Sequence, residues 1–169
     1  RTYRSIFLAG PTFNLLADDA TAVRALERIR HHLDPDGAAL IPLFVPKPVR
    51  AEHLGVAREH IDERGRLLRV TATATERDEA ARRQTTVLRY EVVDGDDRQG
   101  IDRPWVLHWH TQSGFRDLAT GAGLHPVRAE ARCALHPVVS AVSVAATVEI
   151  ARGGPLLLAD SFSDGSAAG

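Results

Sequence analysis

The sequence of 169 residues predicts an α/β fold, with parallel strands near residues 5–9 and 38–44 and an antiparallel insertion at about residues 67–110. Three observations predict it. Two short apolar runs lie on either side of a segment with helical spacing, as in a β–α–β unit. From residue 67 onward apolar and polar residues alternate, which is typical of antiparallel strands with one buried face. The composition, 44% hydrophobic and 25% charged, is that of a globular domain.

The first apolar run, Ser5 to Ala9, ends at Gly10 and Pro11 and predicts a buried strand. A helix is predicted over residues 20–33, where either Asp18 or Asp19 can cap its first turn. Its apolar residues recur at helical spacing: Ala22, Val23, Leu26, Ile29 and Leu33.

The second strand of the β–α–β unit is predicted from Ala38 to Phe44. The segment Asp34–Gly37, which reads Asp-Pro-Asp-Gly, is expected to form a turn that stops the helix. Pro42 has no N–H, so we expect pairing to fail or the strand to end there. Short connections then require the two strands to be adjacent and parallel.

The alternating region predicts antiparallel strands at 67–75, 84–93 and 103–110, whereas residues 51–64 suit either a helix or a hairpin. Thr111 is predicted to cap a helix from Gln112 to Thr120, and a last strand is predicted from Val127 to Ala131. After Arg132 the sequence gives no convincing final antiparallel strand, although one strand around 142–150 fits the composition. Residues 161–169 are expected to be disordered.

Composition excludes several classes of protein. The net charge of −1 gives no basic field for a nucleic acid, and no apolar run is long enough to cross a membrane. Cys133 is the only cysteine, so an internal disulfide is impossible, and the absence of a signal-peptide pattern predicts a cytoplasmic protein. The sequence contains no methionine, so we expect a processed chain or a piece of a longer one.

Several motifs each have a structural and a functional interpretation. Gly121-Ala122-Gly123 follows a helix and not a strand, so it predicts a helix C-terminus and not a phosphate loop. His108 and His110 lie two residues apart on one strand, and Cys133 lies three residues before His136. Neither pair has further ligands nearby in sequence, so no metal site is predicted.

Three aromatic or basic residues are candidate ligand contacts. Arg89 and Tyr90 could reach a ligand on the sheet face. Trp109 shares a strand face with Trp105, and it favours core packing or the lining of an apolar pocket.

Two separate stretches resemble class I S-adenosylmethionine-dependent methyltransferases. Ile6–Leu16 (IFLAGPTFNLL), with Ala25–Gly37 (ALERIRHHLDPDG) behind it, is similar to the family's fourth strand, cofactor-side loop and following helix. Trp105–Leu118 (WVLHWHTQSGFRDL), followed by Gly121–Leu124 (GAGL), is similar to the strand that leads into the family's last helix. The resemblance covers about residues 3–131.

This resemblance implies a Rossmann-like sheet, of which only part is present, and S-adenosylmethionine as cofactor. It places four residues beside the cofactor: Gly10, Thr12, Phe13 and Asn14. We expect Arg89, Tyr90 and Trp109 to contact a small-molecule substrate, and His108 or His110 to accept a proton from it. The alternative function is a small-molecule-binding module without catalysis that uses the antiparallel sheet as its pocket.

The family's glycine-rich loop and ribose-binding acidic residue are absent from this sequence. We therefore expect residues 1–131 to form the C-terminal part of a methyltransferase domain, followed by an atypical tail at 132–169. Without those contacts, the 169 residues alone should neither bind S-adenosylmethionine tightly nor methylate a substrate. We also expect an exposed sheet edge that allows self-association.

Overall fold

The structure, a computed structural model, describes residues 1–135 and 142–152 and divides into two units. Unit 1 combines Arg1–Val45 with the described residues from His110 onward, and unit 2 is Pro46–Trp109. The strands are β1 (Tyr3–Phe7), β2 (Leu33–Val45), β3 (Ala57–Ile61), β4 (Leu67–Asp78), β5 (Arg83–Asp94), β6 (Asp97–His108), β7 (His125–Leu135) and β8 (Val142–Ala151). The helices are α1 (Asp19–His32) and α2 (Gln112–Gly121), with short 3-10 helices at Thr12–Leu15 and Ala51–His53.

Unit 1 contains a four-stranded sheet in the order β1-β2-β8-β7. Strands β1 and β2 are adjacent and parallel, with α1 between them in the chain, which confirms the predicted β–α–β unit. Strand β8 runs antiparallel to both β2 and β7. The strand that fits the composition around 142–150 is confirmed by β8, whereas the expectation that no convincing final antiparallel strand follows Arg132 is wrong. Small residues make the 142–151 segment only mildly apolar, but its β-branched residues suit a strand paired on both sides.

The predicted turn at Asp34–Gly37 is also wrong, because β2 begins at Leu33 directly after α1. Tyr3 pairs with Leu33, and Ser5 pairs with Ala38, so residues 34–37 lie opposite the single residue Arg4. The turn-forming residues thus produce an irregularity inside the strand and not a connection before it. Gly37 suits this irregularity, since a Cβ there would lie 3.0 Å from the Tyr3 carbonyl oxygen.

Pro42 does not end β2, which continues to Val45. The Leu40 carbonyl accepts from the Leu8 N–H, so the backbone groups of Leu40 point toward β1. Pro42, two residues later, points the same way, beyond the last residue of β1. The missing N–H therefore costs no bond in the ladder, and Pro42 still stands opposite Thr147 of β8.

The apolar core of unit 1 lies between one face of its sheet and the two helices. Leu26 of α1, Phe115 of α2, and Ile41 of β2 are all fully or almost fully buried in it. On the opposite face, Phe7 and Leu40 are paired across β1 and β2 and are 75% and 44% exposed. Parallel strands are normally covered on both faces, so this apolar surface is unusual.

The observed bounds of helix α2 agree with the predicted ones to within one residue. Thr111 caps it by accepting a hydrogen bond from the Gly114 N–H at 3.0 Å. The chain leaves the helix through Ala122 and through Gly123, whose φ of 73° is in the left-handed region. The Gly-Ala-Gly sequence is therefore a helix C-terminus, as predicted.

Unit 2 is an antiparallel sheet in the order β3-β4-β5-β6, which confirms the three predicted antiparallel strands. The ambiguous segment 51–64 forms a 3-10 helix and then β3, which pairs with β4 through a hairpin at Asp62–Arg66. Asp62 accepts from the backbone N–H groups of Arg64 and Arg66. The adjacent Arg66 side chain lowers the pKa of the Asp62 carboxyl through a hydrogen bond. Within the described residues, no helix is long and apolar enough to cross a membrane.

Candidate functional site

The loop after β1 lies at the carboxyl end of a parallel strand, where open α/β sheets bind their ligands. Gly10 adopts a φ of 63°, and a Cβ built there would meet no atom within 4 Å. The next turn is closed by a hydrogen bond from the Thr12 N–H to the Gly10 carbonyl at 2.9 Å. Gly10 and Thr12 are both exposed. These two predicted cofactor residues are therefore accessible to a ligand.

Asn14, by contrast, is turned into the protein and is fully buried. Its Nδ2 donates to the Phe44 carbonyl at 2.9 Å, and its Oδ1 accepts from the Phe44 N–H at 3.2 Å. The side-chain amide is thus bonded in both directions to the end of β2. We call this pair of hydrogen bonds the Asn14–Phe44 clasp.

Phe13 is also buried, and it belongs to an aromatic cluster with Phe115 and His110. The Phe13 ring lies 5.5 Å from both the Phe115 ring and the His110 ring, measured between centroids. The Phe115 and His110 rings are 6.3 Å apart. The structure therefore brings one predicted proton acceptor, His110, against one predicted cofactor residue, Phe13.

The two aspartates before α1 have different roles. Asp18 is the N-cap, and its carboxylate accepts from the Thr21 N–H at 2.7 Å. The Oδ1 atom of Asp19 lies 3.6 Å from the Nδ1 atom of His110, which is an ion-pair distance when the imidazole is protonated. The sequence does not separate these roles, because both residues are acceptable caps and only the fold brings Asp19 to His110.

The side chain of His110 is fully buried, so a base role requires a substrate atom to reach the interior of this cluster. His108 is also buried, at the end of β6 in unit 2. Their assignment as proton acceptors stays a prediction.

Trp109, the last residue of unit 2, is held by several groups of that unit. The Arg77 guanidinium lies 4.1 Å from the centre of the Trp109 ring. The backbone N–H of Trp109 donates to the Arg82 carbonyl at 2.9 Å. The same Arg77 donates to the Pro46 carbonyl at 2.7 Å and to Gln84 Oε1 at 2.9 Å. Because Trp109 is also buried, its packing role is the one that the structure documents.

Arg89 and Tyr90 lie on opposite faces of the unit 2 sheet, because consecutive strand residues point to opposite sides. Arg89 donates twice to the Asp102 carboxylate, with both distances 2.8 Å. These hydrogen bonds lower the pKa of Asp102 and raise that of Arg89. Tyr90 is 41% exposed and stands directly opposite Val70 and Ile101. The two residues therefore cannot contact a ligand on the same face.

Two further predicted features fall wholly or partly outside the residues that the structure describes. His136, the second member of the Cys133–His136 pair, lies outside the described residues, as do the predicted disordered residues 161–169. The contacts that the sequence did not reveal in unit 1 are those of Phe115, Asp19 and the Phe44 backbone. None carries a local sequence signal, because each forms only when distant segments pack together.

No family model matches the sequence, and no curated protein matches it significantly. Solved structures do resemble it. An S-adenosylmethionine-dependent methyltransferase from Clostridium acetobutylicum ATCC 824 matches with a TM-score of 0.64 and 12% identity, covering 91% of this chain and 60% of that protein. The sugar N-methyltransferase KedS8 from Streptoalloteichus sp ATCC 53650 matches with a TM-score of 0.61 and 18% identity, covering 90% and 57%.

The amino pentose methyltransferase CalS10 from Micromonospora echinaspora, solved with S-adenosylmethionine bound, is also similar. Its TM-score is 0.56 at 17% identity, covering 86% of this chain and 58% of that one. The chain thus has the Rossmann-like fold of the corresponding part of these methyltransferases, as the sequence predicted. It spans about three fifths of their length.

Proposed function

We propose that this chain is part of an S-adenosylmethionine-dependent methyltransferase that acts on a small molecule. The observation that supports this most is the exposed loop of Gly10 and Thr12 at the carboxyl end of β1, in a fold shared with such enzymes. The structural likeness alone does not identify a substrate, since the sequence identities are low.

Within the described residues, the loop of Gly10 and Thr12 has properties that suit the binding of such a cofactor. The open space beside Gly10 allows a ligand to approach the backbone closely, and Thr12 offers an exposed hydroxyl. S-adenosylmethionine supplies an electrophilic methyl group on a sulfonium sulfur. A nucleophilic oxygen or nitrogen of the substrate forms the new bond to carbon as the carbon–sulfur bond breaks, and it loses a proton. Such a displacement depends chiefly on close, in-line positioning, which a pinned loop provides.

For the methyl acceptor, we propose contact with the face of unit 2 that carries Tyr90. On that face, Tyr90 and Ile101 are both more than one-third exposed, whereas Arg89 on the other face is engaged by Asp102. His110 remains the proposed proton acceptor, with Asp19 beside its Nδ1 atom. A cytoplasmic location is part of the same proposal.

The exposed apolar pair Phe7 and Leu40 supports a second part of the proposal, that a longer chain covers this face. Self-association of the 169-residue chain through β1 is part of the same proposal, because β1 is an edge strand of the described sheet. The complete chain should bind S-adenosylmethionine and methylate a small molecule, and residues 1–169 alone should do neither. Isothermal titration calorimetry of both forms tests this. Micromolar binding by the 169-residue chain would show that the additional residues are dispensable.

A matched pair of glycine variants tests the loop itself in the complete chain. Gly10 and Gly65 both have a left-handed φ and open space at the Cβ position, so Gly10→Ala and Gly65→Ala impose similar backbone strain. Only Gly10→Ala should weaken S-adenosylmethionine binding, by about tenfold or more, because it narrows the approach to the loop. Equal affinities for the two variants would remove this loop from the cofactor site. A complete chain that binds a small molecule without methylating it would favour the non-catalytic binding module.

A further inference from the structure

We propose that Asn14 is a positioning residue, which fixes the cofactor-side loop without contacting the cofactor. This inference rests on the proposed function and changes the role that the sequence suggested for Asn14. It is carried by the Asn14–Phe44 clasp, which joins two segments 30 residues apart in the chain.

The clasp lies just beyond the point where the parallel pairing of β1 and β2 ends. The last backbone bond between these segments runs from the Leu8 N–H to the Leu40 carbonyl at 3.1 Å. The backbone groups of Phe44, four residues after Leu40, point to the same side, where β1 no longer supplies a partner. The Asn14 amide meets them with one donor and one acceptor, as a neighbouring strand would.

The loop of residues 9–13 is therefore held at both of its ends. At one end, the Leu8 N–H is hydrogen-bonded to the Leu40 carbonyl. At the other end, the Asn14 side chain is hydrogen-bonded to the Phe44 backbone. Phe13 adds a third attachment through its aromatic contacts. Gly10 and Thr12 are thus exposed on a short segment with little freedom, so ligand binding should cost little additional ordering.

The donor and acceptor requirement gives a specific test in the complete chain, with Asn14→Asp and Asn14→Ala. An ionised carboxylate has no hydrogen to donate to the Phe44 carbonyl, whereas a protonated carboxyl group has both a donor and an acceptor. Because burial raises the pKa of a carboxyl group, the introduced side chain should become protonated as the pH is lowered from about 8 to about 5.5. At the higher pH both variants should bind S-adenosylmethionine about tenfold more weakly than the wild type.

At the lower pH, Asn14→Asp should recover to within about threefold of the wild type, and Asn14→Ala should not recover. The Asn14→Ala variant keeps every ionisable group of the wild-type chain, so it also corrects for pH effects that do not involve position 14. Hydrogen exchange of the loop 9–13 should show the same pattern, with fast exchange at high pH in both variants and protection regained at low pH by Asn14→Asp alone.

Gln84→Glu is the control for a buried acid elsewhere, since Gln84 is a buried amide of unit 2 that accepts from Arg77. It should alter neither loop exchange nor cofactor affinity. Unchanged affinity in Asn14→Ala, or no recovery of Asn14→Asp at low pH, would overturn the proposal. If the wild-type complete chain does not bind S-adenosylmethionine at all, the proposed function fails, while loop exchange still reports whether the clasp exists.

Discussion

Within the described residues, units 1 and 2 are both built on four-stranded sheets, but they bury their side chains differently. In unit 1, two helices cover one face of the sheet and enclose Leu26, Ile41 and Phe115. Among the residues that the structure describes, this apolar cluster draws on unit 1 alone. Unit 2 has no helix longer than one 3-10 turn, and its sheet carries ion pairs on one face. The other face combines buried apolar side chains, Leu88 and Leu107, with exposed ones, Tyr90 and Ile101.

The charged face of unit 2 is ordered by ion pairs between neighbouring strands. Glu59, Arg69 and Glu91 stand opposite one another on β3, β4 and β5, and Arg69 contacts both acids. Arg89 and Asp102 form a further pair between β5 and β6. Ion pairs across a sheet fix register and side-chain direction, and an exposed one such as Arg89–Asp102 contributes little to stability. Unit 1 should therefore depend on its core, and unit 2 mainly on its backbone ladder and a few anchored side chains.

The largest expected difference concerns the loss of one apolar side chain from each unit. Leu26→Ala removes a fully buried side chain from α1 and should lower the free energy of unfolding by about 2–5 kcal/mol. Ile101→Ala, at a position 47% exposed in unit 2, should cost less than about 1 kcal/mol. Urea unfolding followed by circular dichroism measures both. Equal losses would mean that the two units do not differ in the way described.

A smaller effect is expected at Arg77, a cation of unit 2 that contacts several groups. Its side chain is only 16% exposed, and it contacts Trp109, Pro46 and Gln84. Arg77→Ala should destabilise unit 2 by about 2 kcal/mol, because a desolvated cation–π contact and charged hydrogen bonds are lost together. Arg77→Lys retains the charge but not the planar group, so it should recover part of this loss. Hydrogen exchange of the β4 and β5 amides gives the local free energy, and identical behaviour of the two variants would contradict a role for the guanidinium geometry.

The smallest effect is expected at the Arg89–Asp102 pair, and it should depend on pH. Arg89 lowers the pKa of Asp102 in the folded chain, so the pair's contribution is present above the ordinary pKa near 3.8. It is lost as the pH falls through the folded value. In Arg89→Ala, NMR titration of the Asp102 carboxyl should show its pKa returning toward the ordinary value, with the sheet still folded. Loss of β5 and β6 amide protection in this variant would show that ion pairs hold unit 2 together after all.

The sequence predicted the regular elements well, since periodicity and caps are local properties. The β1–α1–β2 unit, the antiparallel strands and α2 with its Thr111 cap all follow from spacing and turn residues. The errors at Asp34–Gly37 and Pro42 have one cause, namely that local propensity was overridden by pairing with a neighbouring strand. The β1 edge of the sheet could absorb both a four-residue irregularity and a missing N–H.

The candidate site was predicted only in part, because its geometry depends on which side of the loop each residue faces. Gly10 and Thr12 are exposed, whereas Phe13 and Asn14 are buried, although all four lie within five positions of the sequence. No periodicity distinguishes these two pairs in an irregular loop. The contact of Asp19 with His110 spans more than ninety residues and is likewise invisible in local sequence.

Arg77 touches the first residue of unit 2, through the Pro46 carbonyl, and the last one, through the Trp109 ring. The two ends of this segment are thus within reach of a single side chain. A segment whose ends lie close together can be removed, shortened or exchanged without pulling apart the strands that it interrupts. Residues 46–109 therefore have the geometry of an inserted segment between β2 and α2.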